Sequence, residues 1–243
     1  MGGKGRIGEP GEGGGISGGR MLAVLHLCDS LFPVGGFAYS DGLEAAAASG
    51  AIANAGALGD WLDVCLDELI ARSEGPTLLL AWSAFDEENW EAIAALDAEV
   101  TALRPSATAR RASRGMGLRL TVTWQALYPD ATLARLVARA REGGIGPAWP
   151  IAFAAVCASA GVDRRTSAEA FAYNRLAATI SSAMRLMPIG QTDAHRLLAD
   201  TLARVPHVVD AMMARGARAE SFAPAMDVAA MSQQYLHSRL FRS

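Results

Sequence analysis

Charge of one sign, paired cysteines and long apolar runs are all scarce in this sequence. The 22 Lys and Arg residues nearly balance the 25 Asp and Glu residues, which gives a formal net charge of −3. Proteins that bind nucleic acid or anionic membranes electrostatically need a clear positive excess, so the charge supports neither partner. Hydrophobic residues make up 51% of the chain and charged residues 19%, which indicates a folded core rather than a disordered chain.

Residues that bind metals or form disulfides are few and scattered. Cys28, Cys65 and Cys157 form no CxxC pair and are odd in number, so we interpret them as buried thiols in a reducing cytoplasm. The four histidines are His26, His195, His207 and His237. No two of them lie three or four residues apart, so no stably bound metal or other cofactor is predicted. Transient or intersubunit ligation by distant residues stays open.

The N-terminal segment differs from the rest of the chain. Half of residues 1–20 are glycine, and such a segment cannot bury enough apolar surface to offset the entropy of ordering it. We predict a disordered segment at 1–20 and one domain over 21–243. No apolar run approaches the roughly 18 residues that span a membrane, and no signal-peptide pattern is visible. A cytoplasmic protein is therefore expected.

From residue 21 onward the apolar spacing is helical, with no convincing strand and no internal repeat. Predicted helices cover 21–31, 54–72, 76–85, 90–103, 105–128, 130–141, 151–160, 167–186, 193–215 and 225–240. Asn54 is expected to cap the second of them. The prediction is an all-α, single-domain bundle of about nine or ten helices. Because the Trp- and Met-rich helices offer more apolar surface than one core needs, we also predict a homodimer through long-helix faces.

The most informative segment joins the first two helical regions, and residues 28–44 read CDSLFPVGGFAYSDGLE. Pro33 fixes φ and donates no hydrogen bond, while Gly35 and its neighbour permit positive φ. Phe32 and Phe37 are therefore expected to be exposed on a rigid loop, which favours recognition over simple linkage.

Ser40 lies in a variant of the nucleophile elbow of serine hydrolases, with His195 and His207 downstream. An elbow needs a preceding strand and an alternating α/β chain, and the sequence predicts neither. We interpret Ser40 as the cap of the following helix, and keep a serine hydrolase as the alternative.

A basic segment follows in the predicted helix 105–128. Arg110 and Arg114 share one helix face, which fits either a docking patch for an acidic partner or a solvated face. Gly115 and Gly117 each cost a helix about 1 kcal/mol relative to Ala. Their presence predicts a close helix–helix approach at this point.

Two segments near the C-terminus carry further candidates for binding. Arg185 and Gln191 flank a tight turn that contains Pro and Gly, where they either contact a partner or staple the turn within one subunit. Arg239, Leu240 and Phe241 lie in the closing residues RLFRS. Apolar and Arg anchors near a chain end favour docking into a groove of another protein over packing on their own domain.

No catalytic residue is predicted. The candidate partner-binding residues are Phe32, Pro33, Gly35, Phe37, Ser40, Glu44, Arg110, Arg114, Arg185, Gln191, Arg239, Leu240 and Phe241.

The four segments described above also carry a family resemblance. In this order, the loop at 29–44, the segment at 110–117, the turn at 185–192 and the RLFxS ending resemble the urease accessory protein F family (UreF). The resemblance covers essentially residues 21–243. Ala148 departs from it, since family members often carry a His just before this helix. The glycine-rich leader has no counterpart in the family.

The resemblance implies an all-α homodimer that acts as a chaperone or adaptor and not as an enzyme. It implies binding to accessory protein D, called H in some organisms, and recruitment of the GTPase accessory protein G. That complex would dock on apo-urease so that nickel and carbon dioxide complete the metallocentre. The resemblance further implies regulation of GTP hydrolysis. A generic helical adaptor is the remaining alternative.

Overall fold

Helices form almost all regular structure in the described chain. The computed structural model of the protein describes residues 18–34, 36, 39–216 and 218–241, and within these ranges it contains no β-strand. The predicted all-α fold class is therefore confirmed.

Twelve α-helices are present in these ranges. They are α1 (Gly18–Cys28), α2 (Leu43–Ala48), α3 (Ala55–Val64), α4 (Gly75–Asp86), α5 (Trp90–Ala102), α6 (Ala107–Leu127), α7 (Ala131–Arg141), α8 (Trp149–Ser159), α9 (Arg164–Leu186), α10 (Gln191–Leu202), α11 (Val205–Arg215) and α12 (Pro224–Ser232). A π-helical stretch, Cys65–Glu74, joins α3 to α4 without a break, and a 3₁₀ turn, Gln233–Tyr235, extends α12. When α3 to α4 is counted once and the six-residue α2 is left out, ten helices remain, which agrees with the nine or ten predicted, although the predicted break between 72 and 76 is absent.

The core is centred on α8. Every residue from Trp149 to Cys157 is buried, and α4 and α6 pack against this helix. The Phe153 ring lies edge-on to Trp149 and to Phe171 of α9, with centroid distances of 5.9 and 5.3 Å. A helix that is apolar all round belongs inside a bundle, and α5, α7 and α9 also pack against it.

Several helices begin at capping side chains that can be recognised in the sequence. The Asn54 side chain accepts a hydrogen bond from the N–H of Ala57, as predicted, and Asp130 caps α7 in the same way. Ser106 caps α6 by accepting from the N–H of Ala109. Each cap satisfies a backbone donor that the helix itself leaves unpaired.

Some predicted boundaries are wrong. The first helix runs from Gly18 to Cys28 rather than over 21–31. The predicted helix 193–215 is two helices, because Pro206 in the first turn of α11 has no N–H to continue α10. The last helix ends at Ser232 rather than at residue 240, and the chain beyond the 3₁₀ turn folds back onto α2.

Most of the predicted disordered segment, residues 1–17, lies outside the described residues, so its disorder stays a prediction. Residues 18–20, the last three of the predicted segment 1–20, form the first turn of α1. Among the described helices, none is both long enough and apolar enough to cross a membrane.

Candidate interaction site

The loop between α1 and α2, residues 29–42, borders the main cleft that the described residues form. We call it the opening loop. The cleft has a volume of about 870 Å³, and its walls come from α1, α6, α9 and the opening loop itself. Val24, Met116 and Trp149 supply apolar wall, while Tyr173 and Asn174 of α9 supply polar groups. The volume lies within the range of small-molecule sites, although the wall is more apolar than polar.

Phe32 is not the exposed aromatic that the sequence predicts. Its side chain is only 6% exposed and packs against His26 and Trp124, with ring centroids 5.2 and 5.8 Å away. A turn closed by the N–H of Phe32 on the carbonyl of Asp29 directs the ring into the seam between α1 and α6. Pro33 is exposed. Gly35 and Phe37 lie outside the described residues, so their predicted roles stay predictions.

Ser40 does not cap α2. The helix begins at Leu43, with Gly42 at the N-cap position in a left-handed conformation and no side-chain cap. Instead, Nε2 of Gln233 donates to Ser40 Oγ at 2.8 Å, and Oε1 of Gln233 accepts the N–H of Gly42 at 3.1 Å. Ser40 is therefore part of a contact between the opening loop and the 3₁₀ turn after α12.

Glu44 holds the end of the chain in place. Its carboxylate is buried and accepts hydrogen bonds from Nε2 of Gln233 at 3.0 Å and from the N–H groups of Leu240 and Phe241 at 2.5 and 3.3 Å. Hydrogen bonds to an ionised carboxylate are stronger than those between neutral groups. We call residues 236–241 the C-terminal tail. Glu44 fixes this tail against α2.

The tail packs on its own domain, which corrects the predicted insertion of Phe241 into a partner groove. The Phe241 side chain is 2% exposed, and the guanidinium of Arg185 lies 4.4 Å from its ring centroid, in cation–π geometry. Arg185 thus binds the tail rather than only its own turn. Arg239 is exposed, and Leu240 is 62% exposed. These two side chains remain on the surface.

The basic segment of α6 separates into residues with different surroundings. Nη1 of Arg110 donates to the carbonyls of Arg104 and Pro105 at 2.7 and 2.9 Å, which fixes the start of the helix. Arg114 is about half exposed and lies 3.8 Å from the buried carboxylate of Asp97. Gln191, in the first turn of α10, is exposed.

Asp97 organises the loop before α8. Its two carboxylate oxygens accept the N–H groups of Gly146 and Ala148 at 2.9 and 2.7 Å. Ala148 is buried at the N-cap of α8. At Gly117 a Cβ would lie 2.0 Å from the carbonyl oxygen of Pro147, so α6 approaches this loop backbone to backbone. The predicted close approach is correct at Gly117, but its partner is a loop. Gly115 has no such contact.

Sequence reasoning missed a partly buried cluster of four charges, which we call the charge cluster: Asp41, Glu74, Arg104 and Arg175. Asp41 bridges the two arginines, with Oδ1 3.3 Å from Arg104 and Oδ2 2.6 Å from Arg175. Glu74 also contacts Arg104, and its Oε2 lies 2.9 Å from Nε of Arg175, close but poorly aligned for a hydrogen bond. The four residues are far apart in the sequence, and no spacing pattern links them.

Opposite charges determine the ionisation of this cluster. Burial alone would raise the pKa of Asp41, but the positive charges of Arg104 and Arg175 outweigh it and hold the pKa well below its ordinary value. Burial alone would lower the pKa of Arg175, but the charges of Glu74 and Asp41 raise it. Two acidic and two basic side chains therefore balance within the cluster, and the shifts keep Asp41 and Arg175 ionised.

The cysteines have the properties of buried, unreactive thiols. Burial raises the pKa of Cys28, Cys65 and Cys157 to about 12, so each is protonated at neutral pH. Cys65 and Cys157 are fully buried, and Cys28 is partly so. Within the described ranges no three His, Cys, Asp or Glu side chains converge in an arrangement that could hold a metal ion.

Comparison with known sequences identifies the family. The family model named UreF matches residues 52–202, more than half of the chain. This chain belongs to the UreF family. The resemblance carried by the four segments is thereby confirmed.

Curated UreF relatives match nearly the whole chain. Urease accessory protein UreF of Delftia acidovorans (strain DSM 14801 / SPH-1) is 34% identical over 238 residues, which cover 92% of this chain and 97% of that protein. The UreF protein of Ralstonia pickettii (strain 12J) is 30% identical, with 92% and 98% covered. That of Bacillus sp. (strain TB-90) is 28% identical, with 92% and 99% covered.

Family membership and fold leave the serine hydrolase alternative without support. A nucleophile elbow requires a strand before the serine, and the described part of this UreF protein has none. Ser40 is held by Gln233, in a contact that joins two segments of the chain.

Proposed function

We propose that this protein is a urease maturation chaperone, an adaptor without catalytic activity that assists nickel insertion into apo-urease. One observation carries the proposal: a protein named urease accessory protein UreF is 34% identical over 97% of its own length. The site described above consists of chain segments that pack on one another and of balanced, partly buried charges, which suits an adaptor.

The proposed partners are accessory protein D or H, the GTPase accessory protein G and apo-urease. Nickel is the cargo of this assembly and is not stably bound by this chain. Control of GTP hydrolysis by the adaptor is part of the proposal. Three cysteines that form no disulfide suit the reducing cytoplasm, where we place the complex.

The exposed face beside the C-terminal tail is the proposed docking surface for accessory protein D or H. Val228, Met231 and Tyr235 follow helical spacing along α12 and the 3₁₀ turn, and all three are exposed, Tyr235 by 79%. Leu240 adds a further exposed apolar side chain. A run of exposed apolar residues on one face is typical of a protein interaction site. Arg239 would supply a charged anchor at its edge.

A homodimer is also proposed. Met21, Leu22 and Leu25 of α1 are exposed, as are Leu118 and Val122 of the long helix α6. A symmetric dimer would cover such surface by pairing the same patch on both subunits. The proposed dimer interface lies on faces of α1 and α6 that are distinct from the tail, which leaves α12 available to other partners.

The test is urease activation in cells that lack the endogenous adaptor, combined with co-purification. The wild-type protein is expected to restore urease activity and to co-purify with accessory proteins D or H and G and with apo-urease. Ser40→Ala is expected to retain activation, because an adaptor needs no nucleophile. Loss of activation by Ser40→Ala in a folded protein that still co-purifies with all of these partners would contradict the non-enzymatic role. Failure of the wild type to co-purify with any of these partners would contradict the urease role and leave a generic adaptor.

A further inference from the structure

The turn formed by residues 40–44 joins the C-terminal region to the interior of the protein. On its outer side Ser40, Gly42 and Glu44 all bond the side chain of Gln233, at distances of 2.8, 3.1 and 3.0 Å. Glu44 also accepts the N–H groups of Leu240 and Phe241. The position of the tail therefore depends on the position of this turn.

The same turn packs directly on α12. A Cβ placed on Gly42 would lie 2.7 Å from the backbone nitrogen of Ala230, so the two backbones touch. The carbonyl of Ala230 also accepts a hydrogen bond from Oγ of Ser106, the cap of α6, at 3.1 Å. A shift of the turn would therefore disturb both α12 and the tail.

On its inner side the turn is held by Leu43, which is buried in the core, and by the polar contacts of Asp41. Asp41 is the member of the charge cluster that belongs to the turn, and its two carboxylate oxygens bond Arg104 and Arg175 at 3.3 and 2.6 Å. Arg104 precedes α6 and Arg175 lies in α9, and both also contact Glu74. Asp41 thus connects the turn directly to two parts of the bundle, and the two arginines connect it further to Glu74.

The backbone of the turn needs this support. Asp41 has φ of 51° and Gly42 has φ of 92°, two successive left-handed conformations. This region is unfavourable for residues other than glycine, and Asp and Asn tolerate it best. The conformation persists because contacts of the Asp41 side chain offset its cost.

We propose that Asp41 is a positioning residue for the partner-binding tail: by bonding Arg104 and Arg175, it holds the turn of residues 40–44 in the conformation that docks residues 233–241. The statement about the tail rests on geometry alone. Its consequence for partner binding rests on the function proposed above.

The experiment compares Asp41→Asn with a matched variant, Asp97→Asn. Asn keeps the tolerance for left-handed φ but removes the charge, so the substitution isolates the ionic contact. Asp97 is more deeply buried than Asp41 and likewise contacts an arginine and fixes a loop, but that loop precedes α8. Hydrogen–deuterium exchange is measured in peptides that cover residues 233–241 and in peptides from α8 and α9.

Asp41→Asn is expected to speed exchange in residues 233–241 by about tenfold or more relative to the α8 peptides, because charged hydrogen bonds are lost. Asp97→Asn is expected to leave the exchange of residues 233–241 as in the wild type. Uniform acceleration across tail and core in Asp41→Asn, or an unchanged tail, would overturn the proposal.

If Asp41→Asn does not fold, Arg175→Lys replaces it. A single ammonium keeps the positive charge but cannot engage both Asp41 and Glu74 as the guanidinium does. The same selective loosening of residues 233–241 is expected, and its absence overturns the proposal equally.

Binding of purified accessory protein D or H to the same variants provides the functional readout. Asp41→Asn and Glu44→Gln are expected to weaken binding together, since both release the tail, whereas Asp97→Asn is expected to bind as the wild type does. If the wild type itself does not bind, the proposed function fails while the exchange data still decide the role of Asp41. If the tail loosens and binding is unchanged, the docked tail is not what the partner recognises.

Discussion

At the scale of single residues, the ionic contacts of Asp41 contribute to the stability of the fold. The partly buried carboxylate of Asp41 contacts two guanidinium groups, so protonating it would remove one acidic partner from both Arg104 and Arg175. Asp227 on α12 adds a further carboxyl near this cluster, and burial raises its pKa. An uncompensated buried charge is far more costly than an exposed one.

The lowered pKa of Asp41 predicts a specific loss of stability in acid. A carboxyl whose folded pKa lies below its unfolded value stabilises the fold above the unfolded value, and that contribution disappears as pH falls through the folded value. The difference in unfolding free energy between wild type and Asp41→Asn is therefore expected to have its full size at pH 6. It should become smaller as the pH falls below 3.8, the ordinary pKa of an Asp side chain. Urea unfolding at a series of pH values measures it.

Val156→Ala serves as the control for this series, because Val156 is buried in α8 and the change involves no ionisable group. Its difference from the wild type is expected to stay constant with pH. A constant difference for Asp41→Asn as well would show that the carboxylate does not contribute through its charge.

At the scale of elements, α6 shows how one helix uses two glycines differently. Gly117 lies against the loop before α8, where the carbonyl of Pro147 leaves no room for a side chain. Gly115 faces nothing closer than the end of the Arg119 side chain, at 3.9 Å. The sequence alone gives both residues the same interpretation, since each lowers helix propensity equally.

Substitution by alanine is expected to separate the two positions. Gly115→Ala should raise the unfolding free energy by about 0.5–1 kcal/mol, because Ala favours the helix and nothing obstructs its methyl group. Gly117→Ala should lower it by about 1–3 kcal/mol, because backbone atoms must move apart. Thermal unfolding of both variants measures the contrast, and equal effects of the same sign would show that the approach of α6 to Pro147 is not so close.

Helices were predictable from the sequence because their signals are local, whereas the contacts of the site were not. Asn54 indicates a helix cap, and the apolar run of α8 indicates a buried helix. Both signals come from neighbouring residues alone. Phe32, Ser40 and Phe241 were misjudged because their burial depends on where distant segments pass. The charge cluster could not be recognised in the sequence, because Glu74 and Arg175 are far apart in the chain and contact each other only in the folded bundle.

At the scale of the whole molecule, the two ends of the described chain contribute differently. The α1 helix exposes apolar residues, whereas the C-terminal tail is fastened to α2 and covered by Arg185. The tail thus both stabilises the domain and forms part of its proposed docking surface. Removing it should affect folding as well as binding.

Deletion of residues 239–243 is expected to leave helicity nearly unchanged, since residues 239–241 are not helical and the other two lie outside the described residues. Stability should fall by about 1.5–3 kcal/mol, the value of burying a Phe side chain. Binding of accessory protein D or H should also weaken. Circular dichroism, urea unfolding and a binding titration measure the three effects.

Leu240→Ala is the matched control for the deletion, because Leu240 is largely exposed. It is expected to reduce binding while the unfolding free energy changes by less than about 0.5 kcal/mol. A deletion variant as stable as the wild type would show that Phe241 contributes little to the fold.

The π-helical stretch Cys65–Glu74 also determines the rotational phase of the helices that it joins. Because each π turn contains more residues than an α turn, side chains after the stretch point in directions that a continuous α-helix would not give them. Glu74, the last residue of the stretch, reaches the charge cluster with this phase. Deleting one residue between 65 and 73 to restore α-helical winding would therefore rotate α4 about its axis and swing Glu74 away from Arg175.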